Sequence, residues 1–232
     1  MPEPLLLVPG LNCTGELFAP LVKVLAPRMP VAVADVGSDA TIASMAGRAL
    51  AGAPARFALA GLSMGGYVAL EIMRLAPARV TRLALLDTSA RPDTVDASQR
   101  RRELVRLAEA SPAAVDEIHR LLWPRLVHPT RLADAQLEAV VHGMARATGP
   151  DAFATQQSAI MERMDSRPYL PAIRVPTLVL VGEDDAITPP EHALEMASSI
   201  PSARLVMMPH CGHLSTLERP IETLAAVESW LG

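Results

Sequence analysis

Residues Phe57 to Leu70 read FALAGLSMGGYVAL: an apolar run, a break of small and turn-prone residues, then a second apolar run. Gly61-Leu62-Ser63-Met64-Gly65 fits G-x-S-x-G at the place where a strand ends and a helix begins. A serine in that setting occupies a sharp, strained turn, and the glycines on either side let strand and helix approach without Cβ clashes. The hydroxyl is pushed out above the sheet edge, beside outward-facing N–H groups of the helix N-terminus that can stabilise negative charge on a substrate oxygen. A glycine-rich turn can also cradle phosphate, but neither a G-K-[ST] ending nor G-x-G-x-x-G is present.

Working outward, short apolar runs alternate with segments of helical period. The runs are 5–8, 30–35, 56–61, 80–87, 176–182 and 203–209, and the helical segments are 16–26, 42–51, 64–75, 190–198 and 217–231. Near-continuous apolar strands separated by helices predict an α/β fold with a mainly parallel sheet buried on both faces. The rhythm breaks between 91 and 168, where amphipathic stretches such as RRRELVRLAEA occur without a strand-like run. The expected organisation is a core of residues 1–90 and 169–232 with an all-helical insertion, 91–168, after the fourth strand. The Arg100, Arg101 and Arg102 run reads as a solvated helix face in preference to a phosphate patch.

At 232 residues, 50% apolar and net charge −4, the chain can bury a large core and offers no polyanion-binding signature. No run reaches the ~20 apolar residues of a membrane span. The opening LLLV is too short, and lacks the basic leader, for a signal peptide. Cys13 and Cys211 form no disulfide framework, so two separate thiols in a reducing, cytoplasmic setting are expected.

A serine becomes a nucleophile only when a histidine takes its proton and an acid orients that histidine. His119, His128 and His142 lie in the helical insertion, and His192 opens a helix, so these four read as helix or surface residues. His210 and His213 remain, in MMPHCGHLSTLERP after the last strand; Gly212 gives His213 the freer approach, making it the better base. A zinc site at His210, Cys211 and His213 lacks further ligands at a suitable spacing. For the acid, Asp184 and Asp185 in VGEDDAITPP and Asp87 at the end of the fourth strand all reach the same sheet edge.

With VPGLNCTG, GLSMGG, GEDDAITPP and CGHLSTLERP, the chain resembles the α/β-hydrolase superfamily along essentially its whole length, and within it the small cap-bearing esterases, lactonases and cofactor-free perhydrolases. The resemblance implies Ser63 as nucleophile, His213 as base and Asp185, three residues before Thr188-Pro189, as acid. It implies the backbone N–H groups of Leu11 and Met64 as oxyanion donors, although Pro9-Gly10 stands where many members have His-Gly. Residues 91–168 take the place of the family's cap, with Trp123, Met144, Met161 and Met164 as candidate pocket-liners. The chain opens at the family's third strand, so six strands are expected.

The implied chemistry is hydrolysis, through an acyl-serine, of a small or medium, largely uncharged ester or lactone, with no metal or organic cofactor and no nucleic-acid or membrane partner. Related triads also cleave carbon–carbon bonds, form peracids or act as lyases, and some members of the fold serve as slow-turnover ligand receptors.

Overall fold

The computed structural model describes residues 3–37, 39–111 and 113–232. The six apolar runs pair into one sheet: β1 (Leu5–Val8), β2 (Val31–Val33), β3 (Phe57–Leu62), β4 (Val80–Leu86), β5 (Thr177–Gly182) and β6 (Ala203–Met208). Their order is β2-β1-β3-β4-β5-β6 and every neighbouring pair is parallel, as the apolar runs predict. Successive side chains of a strand point to opposite faces, and each face has its own core. Leu6, Val8, Leu59, Leu83, Leu85 and Val179 join one cluster; Leu5, Leu7, Ala60, Leu86 and Leu180 join the other.

Helices α1 (Ala19–Leu25), α2 (Ile42–Gly52) and α3 (Met64–Leu75) follow the first three strands. Helices α4 (Val95–Ala110), α5 (Ala114–Leu126) and α6 (Ala135–Met161) fill the stretch between β4 and β5 with no strand among them. Gly149, at φ 77°, and Pro150 break α6 into two segments, because proline removes one ladder hydrogen bond and glycine accepts the reversed backbone. After β5 come α7 (Pro190–Ser199), α8 (Ser215–Glu218) and α9 (Pro220–Leu231).

Helices α2, α3 and α7 cover the first cluster, through Met45, Val68 and Met196 among others. Helices α1 and α9 cover the second, through Leu21, Leu25, Val227 and Trp230. Two expected helices are shorter than read. The segment 16–26 opens as a 3-10 turn, Gly15–Phe18, before α1, and 217–231 is split at Arg219, where Pro220 forces the preceding residue out of helical geometry. All strand C-termini lie at one edge, and that edge carries Ser63, Asp87, Asp185 and His213 in four successive connections.

Candidate active site

Ser63 has φ 56° and ψ −118°, a conformation that a residue with a side chain adopts only when its surroundings enforce it. Three contacts do so. Its N–H donates to the Leu86 carbonyl at 3.0 Å, and its own carbonyl accepts from the Gly66 N–H at 2.9 Å and the Thr88 hydroxyl at 2.7 Å. A Cβ on Gly61 would overlap the Gly65 carbonyl, and one on Gly65 would overlap the Val8 carbonyl. Strand, turn and helix therefore pack backbone to backbone, and the Ser63 hydroxyl is left standing at the edge.

His213 Nε2 lies 2.8 Å from Ser63 Oγ, and His213 Nδ1 lies 2.8 Å from Asp185 Oδ2. Because a carboxylate only accepts, Nδ1 carries the proton and Nε2 is the acceptor for the serine hydroxyl. Asp185 is itself held by the N–H groups of Ile187 and Thr188, at 2.8 and 2.9 Å, and by the Thr188 hydroxyl at 2.8 Å. Burial opposes charge on Asp185, yet His213 and these donors hold its carboxyl below the usual carboxylate range. Burial likewise opposes a charged His213, and the Asp185 carboxylate overrides it, so the imidazole sits above its ordinary value.

Asp87, the rival acid, does not touch the histidine. It accepts from the Gly182 N–H and from the N–H and hydroxyl of Ser215, tying the ends of β4 and β5 to the start of α8. Complete burial, and the nearby Asp185 charge, push its carboxyl up to about 7.

Met64 directly follows Ser63 as the first residue of α3, and Leu11 stands in the turn after β1 and borders the same cavity as the serine. Among the described residues neither donates to another protein group. A cavity of about 170 Å³ opens above Ser63, with Leu11, Asn12, Tyr67 and His213 on its floor side and residues of α4, α5 and α6 around the rest.

Residues 5–227 match the description of the alpha/beta hydrolase family. The chain belongs to that family. This alpha/beta hydrolase is similar to a thermophilic esterase from Thermogutta terrifontis, solved with malate bound, at 33% identity and TM-score 0.88, covering 99% of this chain and 89% of that one. An enol-lactonase from Burkholderia xenovorans shares the fold at TM-score 0.88 and 24% identity, covering 100% of this chain and 92% of the other. In sequence it is 27% identical over 185 residues to the pimeloyl-[acyl-carrier protein] methyl ester esterase of Nitrosomonas europaea, covering 76% of this chain and 71% of that protein. Against the curated relatives it matches, the alpha/beta hydrolase spans between 58% and 71% of their own lengths.

The four candidate pocket-liners are corrected by this geometry: none of them lines the cavity. Trp123 and Met144 are buried in the core cluster under α5 and α6, where the Trp123 indole N–H donates to the Leu132 carbonyl. Met161 ends α6 half-buried, and Met164, 55% exposed, lines a separate cavity with Tyr67 and Arg163. Large apolar side chains go first to the core that buries most of them.

The arginine run divides: Arg100 and Arg102 are exposed, as a solvated helix face requires, and Arg101 alone is half-buried. Ala97, Arg100, Arg101 and Leu104 recur at three- and four-residue spacing on α4 and all line the cavity, while Arg102 faces solvent. His119, read as a helix or surface residue, is buried and lines the cavity too.

Cys13 and Cys211 are both free thiols; Cys13 borders the cavity and Cys211 is fully buried. Burial pushes the Cys13 thiol up to about 12 and Cys211 higher still, so both stay protonated. Among the described residues no group of His, Cys, Asp and Glu is arranged to hold a metal ion, and no helix is long and apolar enough to cross a membrane.

One residue escaped the sequence reading. Glu218, 2% exposed, accepts from the N–H groups of Gly212 and Leu214, which bracket His213, and from the N–H of His128 beyond α5. The His213 N–H donates to the Leu126 carbonyl at 3.0 Å. The sequence around it, LSTLERP, marks this glutamate only by its place five residues after the histidine.

Proposed function

We propose that this alpha/beta hydrolase cleaves a small or medium carboxylic ester or lactone through an acyl-serine intermediate. The observation that carries the reading is the unbroken line of hydrogen bonds from Ser63 Oγ through His213 to Asp185 at the floor of a cavity. His213 takes the Ser63 proton as the oxygen attacks the carbonyl, and the N–H groups of Leu11 and Met64 stabilise the oxyanion. The imidazolium then protonates the leaving alcohol, and His213 activates the water that releases the acid. Asp185 keeps the imidazole in the required tautomer and stabilises its charged form.

Residues 91–168 serve as a cap over a core of 1–90 and 169–232, since α4, α5 and α6 supply the cavity wall facing the serine. Esterases and an enol-lactonase among its relatives support the substrate class. The two free thiols suit the cytoplasm.

Intact mass after exposure to a serine-reactive phosphonate, alongside hydrolysis of p-nitrophenyl butyrate, tests the mechanism. One adduct on Ser63 with loss of turnover is expected. Turnover that persists in fully reacted protein would place the nucleophile elsewhere.

The pH profile supplies a second check. Protonated His213 cannot act as base, so activity is present above its pKa and lost as pH falls through it. With that pKa raised by Asp185, the acid limb of kcat/KM is expected above the ordinary histidine value of about 6.5. An acid limb near pH 4 to 5, the carboxylate range, would show that a group other than His213 controls the rate.

A further inference from the structure

The wall of the cavity over Ser63 carries three arginines, Arg100, Arg101 and Arg125, and no acidic side chain among the described residues. The guanidiniums are not all neutralised from behind. Asp93, its side chain 3% exposed, is shared by Arg101 at 2.8 Å and Arg163 at 2.6 Å, so one buried carboxylate faces two cations. Arg163 is fixed further by the carbonyls of Arg91 and Ile160 and lies over the ring of Tyr67, itself part of the cavity.

Arg101 is fixed by two contacts. Nε donates to Asp93 and Nη1 to Gln157 Oε1 at 2.7 Å, and Nη2 has no hydrogen-bond partner among the described residues. Arg100, one residue earlier on the same face of α4, forms no ion pair among the described residues. Among the described residues Arg125 donates one hydrogen bond, to the Ala186 carbonyl. Arg101 is half-buried while Arg100 and Arg125 are exposed, so together they set a positive field that an anionic ligand entering the cavity meets. The planar fork of an arginine fits a carboxylate with two parallel N–H donors.

From this we infer that the substrate carries a second, ionised carboxylate, remote from the scissile carbonyl and bound by Arg100 and Arg101. The inference rests on the hydrolase reading for the placement of the scissile group, and it replaces the largely uncharged substrate expected from the sequence. Arg125 adds to the attracting field at the opposite wall. Arg100 and Arg101 are thus specificity residues, and Ser63 and His213 act on whatever they hold.

Two measurements separate this inference from the reading beneath it. The first is direct: adipate titrated calorimetrically into Ser63→Ala protein, which needs no turnover, with monomethyl adipate and dimethyl adipate as comparisons. Adipate is expected to bind, the dimethyl ester to bind far more weakly, and Arg100→Gln and Arg101→Gln each to weaken adipate on the order of 10- to 100-fold, the worth of one charge-assisted contact. The second compares kcat/KM for p-nitrophenyl hydrogen adipate and its methyl ester. Wild type is expected to prefer the acid, and both arginine variants to lose that preference.

Equal binding of adipate and dimethyl adipate, or adipate binding unchanged in both variants, overturns the inference even if esters are hydrolysed. Adipate binding that needs the arginines in a protein without esterase activity would uphold the anion site and remove the hydrolase. Arg102→Gln, on the solvent side of α4, serves as the control for folding and for general charge.

Discussion

Ser63→Ala is expected to lower kcat for p-nitrophenyl butyrate by roughly 10⁴- to 10⁶-fold, the range found when a member of a catalytic triad is removed. His213→Ala should lose a similar factor, and the double variant little more, because serine and imidazole act as one unit. Among the described residues the Ser63 hydroxyl has one side-chain partner, His213 Nε2. The strained backbone at Ser63 is held by Leu86, Gly66 and Thr88 through main-chain atoms that alanine keeps. The melting temperature of Ser63→Ala should therefore stay near that of the parent. Losses that multiply in the double variant would mean that the two residues do not share a step.

Gly65→Ala is expected to have the largest effect on folding. A methyl group at Gly65 would be driven into the Val8 carbonyl, which belongs to β1, and neither the strand nor the first turn of α3 can move without undoing the turn at Ser63. Such backbone overlap should destabilise by roughly 3 kcal/mol or more, at or beyond the upper end for overpacking. Gly47→Ala is the matched comparison: it lies inside α2 with nothing near its would-be Cβ, and alanine there should stabilise by roughly 0.5 to 1 kcal/mol. Urea unfolding of both variants decides the matter, and a Gly65→Ala protein as stable as the parent would show that the packing at the turn is looser than described.

Features carried by local sequence were legible in advance. The strands could be read because most are apolar on both faces of a buried sheet, and the turn at Ser63 because the G-x-S-x-G pattern is local, although Gly65 answers to Val8 on a distant strand. His213 could be separated from His210 by the glycine before it, whereas Asp184, Asp185 and Asp87 all lay at the right sheet edge. Only the hydrogen bond from His213 to Asp185 distinguishes them by geometry.

The cavity wall was misread for a physical reason. Which face of α4 turns inward depends on its packing against α5 and α6, so Arg101, half-buried at the cavity, was assigned to water together with the exposed Arg100 and Arg102. Trp123 and Met144 were placed in the pocket for their bulk, but the same bulk drew them into the core. Glu218 was invisible because one of its partners, the His128 amide, lies 90 residues away.

That last link has a consequence for how the molecule can change over evolutionary time. The segment bearing His213 is fastened to the end of α5 and to the start of the connection that follows it, through Leu126 and through the bond of Glu218 to His128. The helices that shape the cavity are therefore no detachable module. Exchanging them for those of another family member would unfasten the base from one of its anchors, so new selectivity and preserved rate have to be acquired together, by substitutions within the existing helices in place of wholesale replacement.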